Sequence, residues 1–360
     1  MLSSGLNSGL KDGLNSGLNS GLSSRVVTPA DLTELEITAW NALSANIAHL
    51  SSPFLSFQYT SAVAESGVNV KVCVISQDGQ LRGFLPYQFQ NRTSEWLKSA
   101  EPVGRQMTDY FGLIASEDLR ITPATLLSLA NLNQITFSHL DESQLAYGLT
   151  GELPRPGLRI PCDKIFNGNE VDCPISQKHM REMTRREKHL KEDFGPLEFT
   201  FDLIENRTEH LHNLIRQKRA QYKRTNVPDV LAQAWKIDLL ERLLFTKSSS
   251  CRGVLSHLQA GDQWVASHFG IMGNGVLQYW LPVYNPEMAK YGPGRLLLDN
   301  ICKATTLHNI HTIDRGEGVT PSKKEILSDE HYFYRGVWHN NSLPTLVARG
   351  FQSVLWRLGI

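Results

Sequence analysis

No run of about 18 consecutive apolar residues occurs in this 360-residue chain, so no segment has the length and apolarity of a spanning helix. The first residues also lack the basic opening and apolar core of a secretory signal. The expected location is therefore cytoplasmic, and the N-x-S/T sequons at Asn91, Asn206 and Asn340 carry no glycosylation argument. Net charge is missing too. The 36 Lys plus Arg balance 36 Asp plus Glu, so no global field recruits nucleic acid or an anionic membrane, and a charged partner has to be met locally. Closely spaced cysteines are absent: Cys73, Cys162, Cys173, Cys251 and Cys302 are odd in number and scattered, unlike a zinc site or redox pair. They read as reduced thiols, and no metal site is expected.

What remains is an ordinary globular composition, 41% apolar and 20% charged, in a chain long enough for two domains with their own cores. Residues 1–24 stand apart as a four-residue repeat, with leucine at 2, 6, 10, 14, 18 and 22 and glycine at 5, 9, 13, 17 and 21. Each interior glycine weakens a helix by about 1 kcal/mol relative to alanine. The expectation is a disordered low-complexity tail; the alternative is an amphipathic helix formed only against a protein partner.

A first α+β unit is expected over 25–175. It contains a helix opening at Pro29, two strands around Asp78-Gly79 in the stretch 70–90, and strand candidates "NQITFSHL" and "GLRIP". A second unit, 176–345, opens with the charged segment "SQKHMREMTRREKHLKEDFG" and two further helices, and 346–360 closes the chain. Strands beginning near 253, 264 and 276, joined by "AGDQ" and "GNG", predict an antiparallel meander. The glycine turn "AKYGPGRLLLDN" (289–300), a helix and the strand "IHTIDRG" follow.

A strand, a glycine turn and a helix start make the generic anion site, because the first helical amides lack internal partners and the macrodipole favours negative charge there. Gly292 and Gly294 permit close backbone approach, and Arg295 adds a cation. No lysine followed by Ser or Thr completes a Walker loop, so a mononucleotide kinase reading is poor.

Three blocks resemble the CelD-like branch of the GNAT acyltransferases, linked to bacterial cellulose and exopolysaccharide synthesis and related to the tandem-GNAT Fem aminoacyl transferases. They are "VASHFGI" (265–271), "YWLPVYNPEMAKYGPGRLLL" (279–298) and "DRGEGVTPSK" (314–323). The resemblance covers about residues 30–335. It departs from the branch's pattern at Gly292, Arg315, Val319 and Ser322, which replace a serine, a phenylalanine, an acidic residue and a tyrosine. It implies a tandem GNAT-like α+β fold, with mixed, mostly antiparallel sheets flanked by helices, and acetyl-CoA or another acyl-CoA as co-substrate. The acceptor it implies is an amine on a small molecule or glycan. Tyr291, Gly292, Pro293, Gly294, Arg295 and Leu296 become the coenzyme-binding turn, while Trp280 and Lys323 are assigned to the acceptor. It also implies that strands 276–284 and 310–315 splay to admit the pantetheine.

Acyl transfer to an amine needs a proton acceptor and a proton source for the departing thiolate. His268, with an imidazole that ordinarily titrates near pH 6.5, is the first expected base; its alternative is a structural histidine hydrogen-bonded in a strand. Asp314 and Glu317 are expected at a strand end as further carboxylates, or as turn formers, and Tyr284 as thiolate donor or core aromatic. The basic cluster Lys178, Arg181, Arg185, Arg186, Lys188 and Lys191 is interleaved with Glu182, Glu187, Glu192 and Asp193, which favours a self-paired helix face over a phosphate site. Base-stacking aromatics are missing there, so nucleic acid is not expected. The competing class is a non-catalytic GNAT-like scaffold of a polysaccharide assembly; a Fem-like aminoacyl transfer is the competing chemistry.

Overall fold

The computed structural model describes residues 21–163, 175–320, 323, 324, 326 and 328–340. In chain order it contains β1 (Leu22–Val27), α1 (Glu34–Asn46), α2 (Phe57–Glu65), β2 (Asn69–Gln77), β3 (Gln80–Phe89) and α3 (Arg92–Trp96). Next come β4 (Ser99–Ala100), β5 (Ile114–Ala115), α4 (Pro123–Leu129), β6 (Gln134–Asp141), β7 (Glu152–Pro161), α5 (Gln177–Phe194) and β8 (Leu197–Thr200). The rest is α6 (Arg207–Thr225), α7 (Ala234–Phe245), β9 (Arg252–Ala260), β10 (Gln263–Gly273), β11 (Val276–Tyr284), α8 (Pro293–Ala304), β12 (Thr312–Glu317) and β13 (Asp329–His339).

Two compact units divide these residues, and they are interleaved rather than sequential. Ser51–Gly67 belongs with Arg155–Phe333, while 334–340 return to the unit of 68–154. Contacts among the described residues change unit at 50/51, 67/68, 154/155 and 333/334, because strand and helix partners, not chain order, decide where contacts concentrate; the expected boundary at 345 lies outside the described residues. The low-complexity tail is shorter than expected at its C-terminal end. Residues 22–24 pair with β2, Leu22 opposite Gln77 and Ser24 opposite Ile75, and ladder bonds override the weak local preference. Residues 1–20 and 346–360 lie outside the described residues.

In the first unit, Asp78 and Gly79 both have positive φ, 52° and 80°, as a two-residue turn matching strand twist requires. The turn joins β2 to β3, and the small sheet runs β1-β2-β3-β5. Leu85, Tyr87, Leu113, Leu126, Ile135 and Trp338 lie in its core. The helix expected from Pro29 is broken: 29–31 make one 3-10 turn, and α1 restarts after Thr33. There the Thr33 hydroxyl accepts from the Glu36 amide at 3.3 Å while Glu36 accepts from the Thr33 N–H at 2.9 Å.

In the second unit the strand order is β7-β12-β11-β10-β9-β8. Strands β9, β10 and β11 form the expected antiparallel meander. Helix α8 inserts Leu296, Leu297 and Ile301 among Val254, Val265 and Leu277, all fully buried. Each such side chain contributes about 1.5–3 kcal/mol, so α8 is held by its apolar face and its first turn is free to serve another purpose.

Candidate functional site

The site begins with a fault in the sheet. On β10 and β11, Ile271 faces Gln278 but Phe269 faces Leu281, so β11 carries one extra residue around Tyr279–Trp280. On its other side β11 pairs in parallel with β12 only through Val276–Thr312, Leu277–Ile313 and Gln278–Asp314. Beyond Gln278, β11 runs on to Tyr284 with no strand beside it there among the described residues. Bulge and divergence coincide, leaving an open backbone edge over 279–284.

That edge leads into the glycine turn. Gly292 has φ 65° and ψ 49°, a left-handed conformation that favours glycine, and Pro293 opens α8. A β-carbon on Gly292 would come within 2.9 Å of Arg186 Nη1. Gly294 differs: a β-carbon there would meet only Tyr284 Cδ1, at 3.8 Å. The amides are fewer than the sequence suggests. Gly292 N–H donates to Ala289 O, Pro293 has none, and Arg295 and Leu296 both donate back to Gly292 O. Gly294 N–H, which makes no hydrogen bond among the described residues, is the open donor.

Cations compensate. Arg186 of α5 grips Glu182 through Nε (2.9 Å) and Nη2 (2.6 Å) and donates Nη1 to Lys290 O at 3.2 Å. Arg295 approaches the same carboxylate at 3.8 Å. These guanidiniums hold the Glu182 carboxyl below its usual range, Arg186 first. Two further α5 pairs run along the helix as expected, Lys191 with Glu187 and Lys188 with Glu192, while Asp193 pairs off the helix with Lys290 at 3.5 Å. The sequence assigned Arg186 to a self-paired helix face in preference to a phosphate site, because the turn it bonds lies about a hundred residues further along the chain. An open amide at a helix start, a position lacking a side chain and two arginines fit a phosphate group.

Residues 177–324 match the family described as an acetyltransferase (GNAT) domain. This segment is a GNAT-type acyltransferase domain. No curated protein matches the chain in sequence. Among solved structures, FemX is similar with a TM-score of 0.58 at 9% identity, covering 88% of this chain and 98% of that one. The C-terminal (DUF2156) domain of an Agrobacterium fabrum protein assigned as a lysylphosphatidylglycerol synthetase gives 0.52 at 10% identity, covering 89% and 96%. Identities this low speak for the fold alone, which is GNAT-like and α+β. A GNAT domain takes an acyl-CoA as co-substrate and an amine as acceptor.

Two of the four expected proton-handling residues, His268 and Asp314, are buried. His268 is fully buried on β10, stacked on Tyr279 at 4.5 Å, with Nε2 accepting from the Trp280 amide at 3.3 Å. Burial drives its pKa down to about 3. The expectation of an imidazole near pH 6.5 is corrected: this ring stays neutral and braces the bulge. Asp314 lies within β12, not at its end; it is 1% exposed, accepts from Arg159 Nε at 3.2 Å and from the Gly316 amide at 2.8 Å. Glu317 faces Arg155 at 3.5 Å. Lys323, assigned to the acceptor, instead donates Nζ to the carbonyls of Arg315 (2.6 Å), Glu317 (3.0 Å) and Gly316 (3.3 Å). Tyr291 is buried, its hydroxyl on Asp193, and Leu296 is core. Trp280 packs edge-on against Phe54 at 5.3 Å. Tyr284 alone among the expected catalytic groups stands open, 38% exposed beside Gly294.

Sequence reasoning also passed over Lys218. It lies on the buried face of α6 with Leu211, Leu214 and Ile215, and donates Nζ to Pro282 O of β11 at 3.0 Å. Desolvation lowers its pKa to about 8. Its place in the 3.6-residue apolar register of α6 was the available signal. Elsewhere on α6, Ile215, Arg216, Arg219 and Lys223 line a groove of about 640 Å³ with Val227, Asp229 and Ile237.

Proposed function

We propose that the protein transfers an acetyl group from acetyl-CoA to an amino group on a sugar or polysaccharide precursor. The observation that carries this reading is the divergence of β11 from β12 at the bulge, directly before the Gly292–Gly294 turn and its two arginines. In this reading Gly294, Arg295 and Arg186 hold the coenzyme phosphates, and the thioester lies along the open edge of β11. Tyr284 donates to the departing thiolate. Trp280 lines the acceptor side, and the cations of the α6 groove favour an acceptor that also bears negative charge. The first unit is a second, GNAT-like half without the coenzyme turn. The sugar acceptor is supported by the CelD-like blocks at 265–271, 279–298 and 314–323.

The test is acetyl-CoA-dependent thiol release by the full chain over a panel of free and nucleotide-linked amino sugars, with the product identified by mass. Thiol release matched by an N-acetylated sugar is expected. Coenzyme binding without transfer to any amine refutes the reading in favour of a scaffold, and transfer from aminoacyl-tRNA alone refutes it in favour of Fem-like chemistry.

A further inference from the structure

With His268 and Asp314 buried, Glu317 facing Arg155 and Lys323 bonded to three backbone carbonyls, the acyl-transfer reading needs another group to receive the acceptor's proton. We propose that Lys218 is this base, working at the open edge of β11; the inference rests on the acyltransferase reading above. Three observations place it there. Its Nζ bonds Pro282 O, and Pro282 lies in the 279–284 segment that β12 has left. Proline has no N–H and is accepted in a strand where that side has no ladder bond to make. A residue's carbonyl leaves a strand on the same side as its nitrogen, so Pro282 O, and the amine on it, face the vacated side. Finally, Lys218 is buried, with 9% of its surface exposed, and its ammonium is set against a neutral carbonyl rather than a carboxylate.

The titratable groups near it are Tyr222 on its own helix, with its ring centroid 5.5 Å from Nζ, and His268 on β10. Burial lifts the Tyr222 phenol to about 12 and drops His268 to about 3, so both are uncharged near neutrality. Desolvation alone lowers Lys218, and a base whose pKa lies near the working pH transfers protons best. In the proposed step the neutral Nζ takes one proton from the acceptor ammonium. The freed amine lone pair forms the C–N bond at the thioester carbonyl, the C–S bond breaks, and the second nitrogen proton passes to the thiolate by way of the Tyr284 hydroxyl. Lys218 then returns its proton to solvent, giving amide, free thiol and one proton.

The test uses the full chain in two arms. In the first, lysine 13Cε resonances are followed against pH, with Lys218→Met assigning the signal. The Lys218 signal is expected to titrate near pH 8 and to move when coenzyme A is added. A signal that ignores coenzyme A, in a protein whose melting temperature coenzyme A raises, overturns the placement. In the second, Lys218→Arg installs a guanidinium that stays protonated and so cannot accept a proton near pH 8. A fall in kcat of at least a hundredfold is expected, with KM for acetyl-CoA within threefold. In Lys218→Met the ascending limb, the loss of activity as pH falls through about 8, should vanish from the kcat/KM profile. Unchanged kcat and profile in both variants overturn the proposal. Failure of the unaltered chain to bind coenzyme A at all counts instead against the acyltransferase reading.

Discussion

Gly294→Glu separates the turn's structural role from its role in binding. The position has room, since an added β-carbon meets nothing nearer than Tyr284 Cδ1 at 3.8 Å, and unlike Gly292 it has no positive φ to defend. A carboxylate in the first turn of α8 interacts favourably with the helix dipole, by roughly 0.3–1 kcal/mol. The apo variant should therefore melt within a degree or two of the unaltered protein, or slightly above it. Coenzyme binding should respond in the opposite sense, because the new carboxylate stands where phosphate would meet Gly294 N–H, Arg186 and Arg295. Acetyl-CoA at a hundred times its Kd stabilises the native state by about 2.7 kcal/mol. With roughly 2–4 °C per kcal/mol for a domain of 150–250 residues, that is a rise of about 5–10 °C in Tm. Differential scanning fluorimetry with and without acetyl-CoA should show that rise in the unaltered chain and none in Gly294→Glu. Equal shifts in both would refute the assignment of the turn to phosphate; a variant that is destabilised without ligand would refute the geometry.

Three further outcomes follow from the same structure. For Lys218 the folded pKa, about 8, lies below the reference 10.5, so between these values the unfolded chain binds the extra proton. The resulting destabilisation, on the order of 3 kcal/mol, is complete below pH 8 and disappears as pH rises to 10.5; Lys218→Met should raise the urea midpoint at pH 7 and lose that advantage by pH 10.5. His268, at about 3 against 6.5, makes stability fall as pH drops from 6.5 toward 3, and His268→Phe should flatten that decline while losing about 1–3 kcal/mol at pH 7 by leaving the Trp280 amide without its acceptor. Lys323→Met should lower Tm, measured calorimetrically, by removing the donor shared by the 315, 316 and 317 carbonyls, with KM for an amine acceptor unchanged.

Order along the chain was legible where local chemistry decides it. Asp78-Gly79, the Gly195 stop of α5, the meander turns and the glycine turn before α8 all depend on backbone conformations that few residues accept. The unit boundaries were not legible, since the placement of 51–67 with 155–333 depends on partners distant in sequence. Site chemistry followed the same division. Glycine and proline declare a turn whatever surrounds them, whereas His268, Asp314 and Lys323 acquire their roles from burial and from neighbours on other strands. Residue type ranked His268 first and ignored Lys218; desolvation reverses the order, taking the imidazole far below neutrality and bringing the amine down toward it.

This reversal has a cause in the sheet itself. A strand edge without a partner is a liability, because its N–H and C=O groups invite whatever can bond them. Over 279–284 the chain manages that edge in three ways. Trp280 N–H is turned onto His268, Pro282 presents no donor, and Lys218 occupies the Pro282 carbonyl. Each device blunts non-specific pairing with another strand, while the side that β12 has left stays without a strand among the described residues. A chain that only needed to close this edge could have continued the β12 ladder beyond Gln278. Keeping β12 away while posting a desolvated lysine at the opening makes sense if the edge has to accept a ligand and then move a proton on it.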